Sequence, residues 1–141
     1  MARSGEALTV VVGYDGSDAA RRGVAHIEQL APPPRKVVVV AVVPELPASS
    51  VSDEPLAGRD FDAERLLAEA AEQLAGADGT AIERRATTGD PAAVLIEIAR
   101  EADADLLIVG RRGSDFVTRT LLGSVAERVV QQAHCDVLVV A

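Results

Sequence analysis

The residues best placed to do chemistry are Gly110, Gly113, Gly123 and Ser124, which make the pattern Gly-x2-Gly-x9-Gly-Ser. Ahead of them Leu106-Leu-Ile-Val109 is a short apolar run of the kind that forms a strand covered on both faces. Behind them Val125, Val129 and Val130 open a helical stripe. A strand that ends in glycine and re-enters a helix through Gly-Ser gathers free backbone N–H groups and the positive end of a helix dipole, which suits an anionic phosphate. Glycine lets the phosphate approach the backbone closely. The competing explanation is that these glycines only punctuate a strand end and a helix start.

A second candidate is Asp15, within Gly13-Tyr14-Asp15-Gly16-Ser17 at the end of an apolar run. Its carboxylate would repel phosphate directly, so as a ligand it should face ribose or adenine, or meet phosphate through a divalent cation. As a turn former it needs no ligand at all. Arg111, Arg112 and Arg119 are either solvated loop charges or, in a loop that wraps phosphate, its neutralising partners.

Other chemistries fit poorly. A P-loop needs a Gly-Lys-Ser/Thr ending, and the one lysine, Lys36, lies at a strand. A dinucleotide fingerprint needs Gly-x-Gly-x-x-Gly after the first strand, which Gly13-Tyr-Asp-Gly16 does not supply. His134-Cys135 is too small a cluster for a metal, and Cys135 reads as a small buried hydrophobe. His26 lies one residue from a buried stripe and reads as a surface residue. No Ser/His/Asp arrangement follows from spacing.

The elements that must position these residues alternate. Leu8–Val12 is a β-branched first strand. A helix from Ser17 or Asp18 buries Ala20, Val24, Ile27 and Ala31 before Pro32-Pro-Pro34 stops it. Lys36–Val43 is the most apolar segment and is expected at the centre of a sheet. The stretch from Pro44 to Arg59 carries three prolines and three serines and is expected as a loop of about sixteen residues, a lid or a disordered segment. Phe61, Leu67, Ala70, Ala71 and Leu74 mark a second helix, ending near Gly76 or Gly79. Thr80–Thr88 is a third strand whose Glu83, Arg84 and Arg85 place it at an edge. Asp90-Pro91 opens a third helix with Val94, Leu95, Ile98 and Ala102 buried. After the glycine pattern come a fourth helix, from about Gly123 to Ala133, and a last strand, Val137–Val140. This order implies a five-stranded parallel, doubly wound α/β sheet with right-handed crossovers and helices on both faces, in one domain over residues 1–141. In such sheets the ligand crevice lies at the carboxyl ends of the strands where the winding reverses.

Aromatic residues are 2% of the chain, so the core must be valine, leucine, isoleucine and alanine. The net charge of −8 opposes attraction to nucleic acid or anionic lipid, so neither is expected as a partner. One cysteine excludes an intrachain disulfide, residues 1–9 do not resemble a secretory leader, and no apolar stretch is long enough to span a membrane, which together lead one to expect a cytoplasmic protein.

With Val11-Val-Gly-Tyr-Asp-Gly-Ser17 near its start and Gly-x2-Gly-x9-Gly-Ser ahead of Val137-Leu-Val-Val140, the chain resembles the universal stress protein family over nearly its whole length. The glycine pattern matches that family's ATP-binding signature. The resemblance implies a single-domain, Rossmann-like nucleotide-binding fold, usually homodimeric, in a family that also has members without the glycines that bind no ATP. Position by position, it implies that Asp15 is the acidic residue at the end of strand one and Val42 the strand-two residue whose backbone lies beside adenine. It likewise makes Gly110, Gly113, Gly123 and Ser124 the phosphate and ribose contacts. Gly13 and Val125, which flank these positions, complete the candidate set. Arg111-Arg112 departs from the small residue and histidine or arginine found in many members, altering charge but not backbone chemistry.

Three functions follow as expectations. In the first, a regulatory protein binds ATP with Mg²⁺, and the nucleotide orders residues 110–122 and changes a surface read by a protein partner. In the second, an interaction protein needs no nucleotide. The third is a slow ATPase or adenylyl-transfer enzyme, for which no base or nucleophile is visible apart from Asp115. Val137–Val140, an apolar strand with an unpaired edge, is the expected homodimer contact.

Overall fold

Runs such as Val10-Val-Val12 and Val37-Val-Val-Val40 have no polar face to offer water, so strands built from them must be covered on both sides. The computed structural model describes residues 8–43, 56–75, 79–111 and 122–141, with the backbone alone over 56–62. The elements are β1 (Thr9–Gly13), α1 (Asp18–Glu28), β2 (Lys36–Val43), α2 (Leu56–Leu74) and β3 (Ala81–Thr88), then α3 (Pro91–Glu101), β4 (Leu106–Gly110), α4 (Ser124–Gln132) and β5 (Asp136–Val140). All described strand pairs are parallel, in the order β3-β2-β1-β4-β5. This is the five-stranded doubly wound α/β sheet implied by the alternation of elements.

Strand parity divides the core in two. Val10, Val12, Val37 and Val39 pack under α1 and α2 with Ala20, Val24, Ile27, Leu67 and Leu74. Val11, Val38, Val40, Leu107 and Val109 pack under α3 and α4 with Leu95, Ile98, Ala126 and Val129. Local signals set the helix starts. Ser17 Oγ accepts from the Ala20 N–H at 3.1 Å to cap α1, and Asp90 Oδ2 accepts from the Ala93 N–H at 3.1 Å to cap α3, with Pro91 in its first turn.

Several boundaries differ from expectation. β1, not β2, is the middle strand; β2 is the next one out, buried because α2 and α3 cover it on either face. α1 ends at Glu28 with Gln29 as its cap, so Ala31 is exposed and outside the stripe. α2 begins at Leu56, inside the stretch expected as a loop. Proline is as suited to introducing a helix as to breaking one, so a proline at position 55 does not mark the stretch as loop throughout. Residues 44–55 lie outside the described residues. α2 ends at Leu74, ahead of both glycines proposed as its stop. Val130 is 50% exposed, because it stands about 100° around α4 from the buried Val129. β3 is at the edge, as its charges require.

Leu107 of β4 is fully buried within the core cluster that lies under α3 and α4. Leu107→Ala should therefore lower the unfolding free energy by about 2–5 kcal/mol, read from urea denaturation. A loss below about 1 kcal/mol would show that this core can collapse around the missing side chain.

Candidate functional site

The carboxyl edge of the sheet is stepped. β1 and β2 are in register from Thr9↔Lys36 to Gly13↔Val40, and Val12 lies level with Ile108 of β4. β2 and β3 then continue together to Val43↔Thr88, three residues further. Val42 thus stands two residues beyond the level of Gly13, about 7 Å along the strand direction. The winding reverses between β1 and β4, whose ends are Gly13 and Gly110. Short central strands beside a taller wall leave a crevice where doubly wound sheets hold ligands.

Gly13 and Val42 share the face covered by α3 and α4. A Cβ on Gly13 would lie 3.1 Å from Leu95 Cδ1 of α3, tighter than ordinary contact, so glycine here permits close helix approach. Val42 is half-buried against the same cluster. Asp15 is exposed, and its Oδ1 accepts from the Ser17 N–H at 2.9 Å. The turn-forming role considered for it is therefore real, and it leaves the carboxylate at the crevice rim facing water.

The glycine pattern closes on itself. Arg111 N–H donates to Val140 O at 2.7 Å, carrying the β4–β5 ladder one residue past Gly110, and Gly123 N–H donates to Arg111 O at 2.8 Å. These two bonds bring Gly110 and Gly123-Ser124, thirteen positions apart in sequence, to the same strand end. Gly123 is buried and is the N-cap of α4, with φ −66° and ψ 159°, a conformation open to any residue. What glycine supplies there is the missing side chain. No side chain caps α4, unlike α1 and α3, so helical geometry leaves the N–H groups of Ser124, Val125 and Ala126 without intrahelical acceptors. Ser124 is exposed and Val125 half-buried beside them. Gly113, Arg112, Asp115 and Arg119 lie outside the described residues.

Two supports escaped the sequence reading. Asp90 of α3 pairs with Arg128 of α4 at 2.5 Å, tying together the helices beneath the crevice. The Ala93 N–H and then Arg128 hold its carboxyl below the usual carboxylate range. Tyr14, between Gly13 and Asp15, is buried on the α1/α2 face, where its Oη donates to Glu69 Oε1 at 2.9 Å. The parity of Val10, Val12 and position 14 already points the ring into that core, but nothing in the sequence pairs it with a residue 55 positions away. Cys135 is free and half-buried, and burial raises its thiol pKa, as suits a small hydrophobe. His26 is exposed. Among the described residues no group of His, Cys, Asp and Glu could hold a metal, and no helix is long and apolar enough to cross a membrane.

A doubly wound parallel sheet with the Gly123 helix start brought to the end of β4 at its winding reversal defines a Rossmann-like α/β protein. More particularly, the chain belongs to the universal stress protein family, whose model matches residues 7–141. A universal stress protein of Mycobacterium tuberculosis is 34% identical over 139 residues, which cover 94% of this chain and 94% of that one. The structure of a universal stress protein in complex with cAMP superposes with a TM-score of 0.71 at 33% identity, covering 95% of this chain and 97% of that one. A universal stress protein from Archaeoglobus fulgidus shares the fold at a TM-score of 0.74 and 23% identity, covering 95% and 93%.

Tyr14 yields a pH prediction. Burial first, then the Glu69 carboxylate, raises its pKa from the ordinary 10.0 to about 12. The neutral hydroxyl is favoured by the fold, so its contribution to stability is whole below pH 10 and is lost as pH rises from 10 to about 12. Tyr14 is the one tyrosine and there is no tryptophan, so tyrosinate absorbance reports it alone. Its midpoint in the folded protein should lie near 12, and a midpoint near 10 would refute the buried hydrogen bond.

Proposed function

We propose that the protein binds an adenine nucleotide, ATP with Mg²⁺ foremost, in the crevice between Gly13 and Gly110, and that it works as a nucleotide-responsive regulatory protein of the stress response. The observation that carries this reading is the closure of the glycine pattern by Gly123 N–H on Arg111 O, beside a helix start with no side-chain cap. Phosphate oxygens would accept from the N–H groups of Ser124 and Val125 and from the Ser124 hydroxyl, with the Gly110, Gly113 and Gly123 backbone leaving room for them. Adenine would lie beside the Val42 backbone and Gly13. Asp15, exposed at the rim, would accept from ribose hydroxyls. The cation would accompany the triphosphate, since the described residues offer no cluster of their own.

The relative solved with cAMP, at 33% identity, supports adenine, ribose and one phosphate as the shared part of the ligand. It also favours a second reading, a monophosphate ligand, which competes with ATP for the same contacts. The nucleotide acts as a ligand rather than a substrate: phosphoryl transfer needs positioned cations and an oriented water, and this crevice has no P-loop lysine. A cytoplasmic setting and a protein partner that reads residues 110–122 belong to the same proposal.

Titration calorimetry with ATP·Mg²⁺, AMP and cAMP tests it. ATP should bind to the wild type, and Gly113→Val and Gly123→Val should each abolish binding while the far-ultraviolet spectrum keeps its helical signal. Unchanged affinity in both folded variants would promote the nucleotide-independent reading, and preference for cAMP would promote the monophosphate. Turnover by the same protein should stay far below the ~1 s⁻¹ floor of ordinary enzymes.

We also propose a homodimer through β5. Among the described residues β5 pairs with β4 alone, and Val137, Leu138 and Val139 are half-buried along its open edge. An apolar open edge of this kind is satisfied by a second copy. Val139→Lys should shift sedimentation from dimer to monomer, whereas a wild-type monomer at tens of micromolar would overturn the proposal.

A further inference from the structure

Asp15 is exposed at the rim, yet the residues on either side of it are gripped from the other side of the sheet by one helix. Tyr14 Oη donates to Glu69 Oε1 of α2 at 2.9 Å. Position 16 lies against the same helix, where a Cβ would meet Leu66 Cδ2 at 2.7 Å, and the chain there has φ +79°, a conformation that favours glycine. Leu66 and Glu69 are three residues apart, one face of a helix. Arg21 Nε of α1 reaches the same Glu69 oxygen at 3.1 Å, so α1, α2 and the turn meet at one carboxylate. Tyr14 N–H donates to Val40 O at 2.8 Å, which pins the backbone immediately before Asp15 to β2.

From this geometry we infer that Tyr14, Glu69 and Leu66 are positioning residues for the nucleotide site: they hold the Asp15 turn in its ligand-accepting form and so couple the seating of α2 to occupancy of the crevice. The inference rests on the nucleotide reading given above. Its physical content is a reciprocal linkage between two faces of the sheet. If α2 must be seated for Asp15 to meet the ligand, the ligand must in turn strengthen the seating of α2. The hydroxyl keeps its proton to about pH 12, so the Tyr14–Glu69 bond is present throughout the physiological range. A bond that merely supports the fold would change unfolding temperature and leave affinity alone.

The test is calorimetry with ATP·Mg²⁺ on the full chain, alongside thermal unfolding of each variant. Tyr14→Phe and Glu69→Ala should each weaken binding about 5-fold or more, the lower end of ordinary coupling between sites. The double variant should bind no more weakly than either single, because one interaction is removed in all three. Glu69→Gln, whose amide oxygen still accepts from Tyr14, should bind close to wild type. In an Asp15→Ala background Tyr14→Phe should cost nothing further, since Tyr14 acts through Asp15. Wild-type affinity in Tyr14→Phe, whatever its unfolding temperature, overturns the inference, as does a full additional loss in the Asp15→Ala background. Where Glu69→Ala does not fold, hydrogen exchange of the wild type decides: nucleotide should slow the amides of α2, and unchanged exchange there overturns the inference. A wild type that takes up no nucleotide removes the parent reading and this one together, whereas uptake with indifferent variants removes this one alone.

Discussion

Everything in this structure depends on β1 being buried on both faces and both edges. Val10, Val11 and Val12 have no exposure, and the strand's hydrogen-bonding groups are met by β2 on one side and β4 on the other. A right-handed crossover puts its helix on one face when the chain steps one way across the sheet and on the other face when it steps back, so pairing β1 on both edges sends helices to both faces. The chain therefore winds outward through β2 and β3, returns across the sheet by α3, and winds outward again through β4 and β5. Because α1 leaves β1 on one face and α4 leaves β4 on the other, the helices that follow these two strands diverge from their ends. The crevice is a consequence of saturating the central strand.

That constraint also explains why the described part of the candidate site is built largely from backbone. The strand ends at the reversal are Gly13 and Gly110, and the helix facing them begins at Gly123 without a side-chain cap. Hydrogen-bond donors that belong to the main chain cannot be mispositioned by rotamer changes, and a helix start concentrates several of them with a favourable dipole. The same economy limits the chemistry. Asp90 is committed to the Ala93 N–H and Arg128, whereas Asp15, bonded to the Ser17 N–H through one oxygen, stays exposed at the rim.

Much of the fold was legible because valine runs, cap residues and edge charges each have one physical meaning in this context. Ser17 and Asp90-Pro91 start helices where their chemistry says they should, and Glu83, Arg84 and Arg85 mark an edge. The failures are those in which one residue type carries two meanings. Proline suits a helix start as well as a loop, and α2 begins at Leu56 within the proline-containing stretch; the valine-rich β2 owes its burial to helices on both faces rather than to a middle position. In the candidate site, the parts read from spacing were those near in sequence or held by a strand register. The Tyr14–Glu69 and Asp90–Arg128 contacts join positions 55 and 38 residues apart through side chains, and no periodicity announces such a pair.

The glycine and acidic positions of the candidate site stand apart from the core, although Val42 and Val125 pack against it. Neither core cluster includes Gly13, Asp15, Gly110, Gly123 or Ser124, so substitution at these positions removes little buried apolar surface. A fold organised in this way can change these positions and keep its stability. Tyr14 breaks the separation. Its ring belongs to the α1/α2 core, its backbone lies between Gly13 and Asp15, and its hydroxyl, leaving water, requires the partner that Glu69 provides. An unmet buried hydroxyl costs about 1–3 kcal/mol, whereas an exposed pair such as Arg21–Glu69 is screened by water and adds little. Of the interactions around the rim, the tyrosine hydrogen bond is therefore the one by which core packing and site geometry are held to the same arrangement.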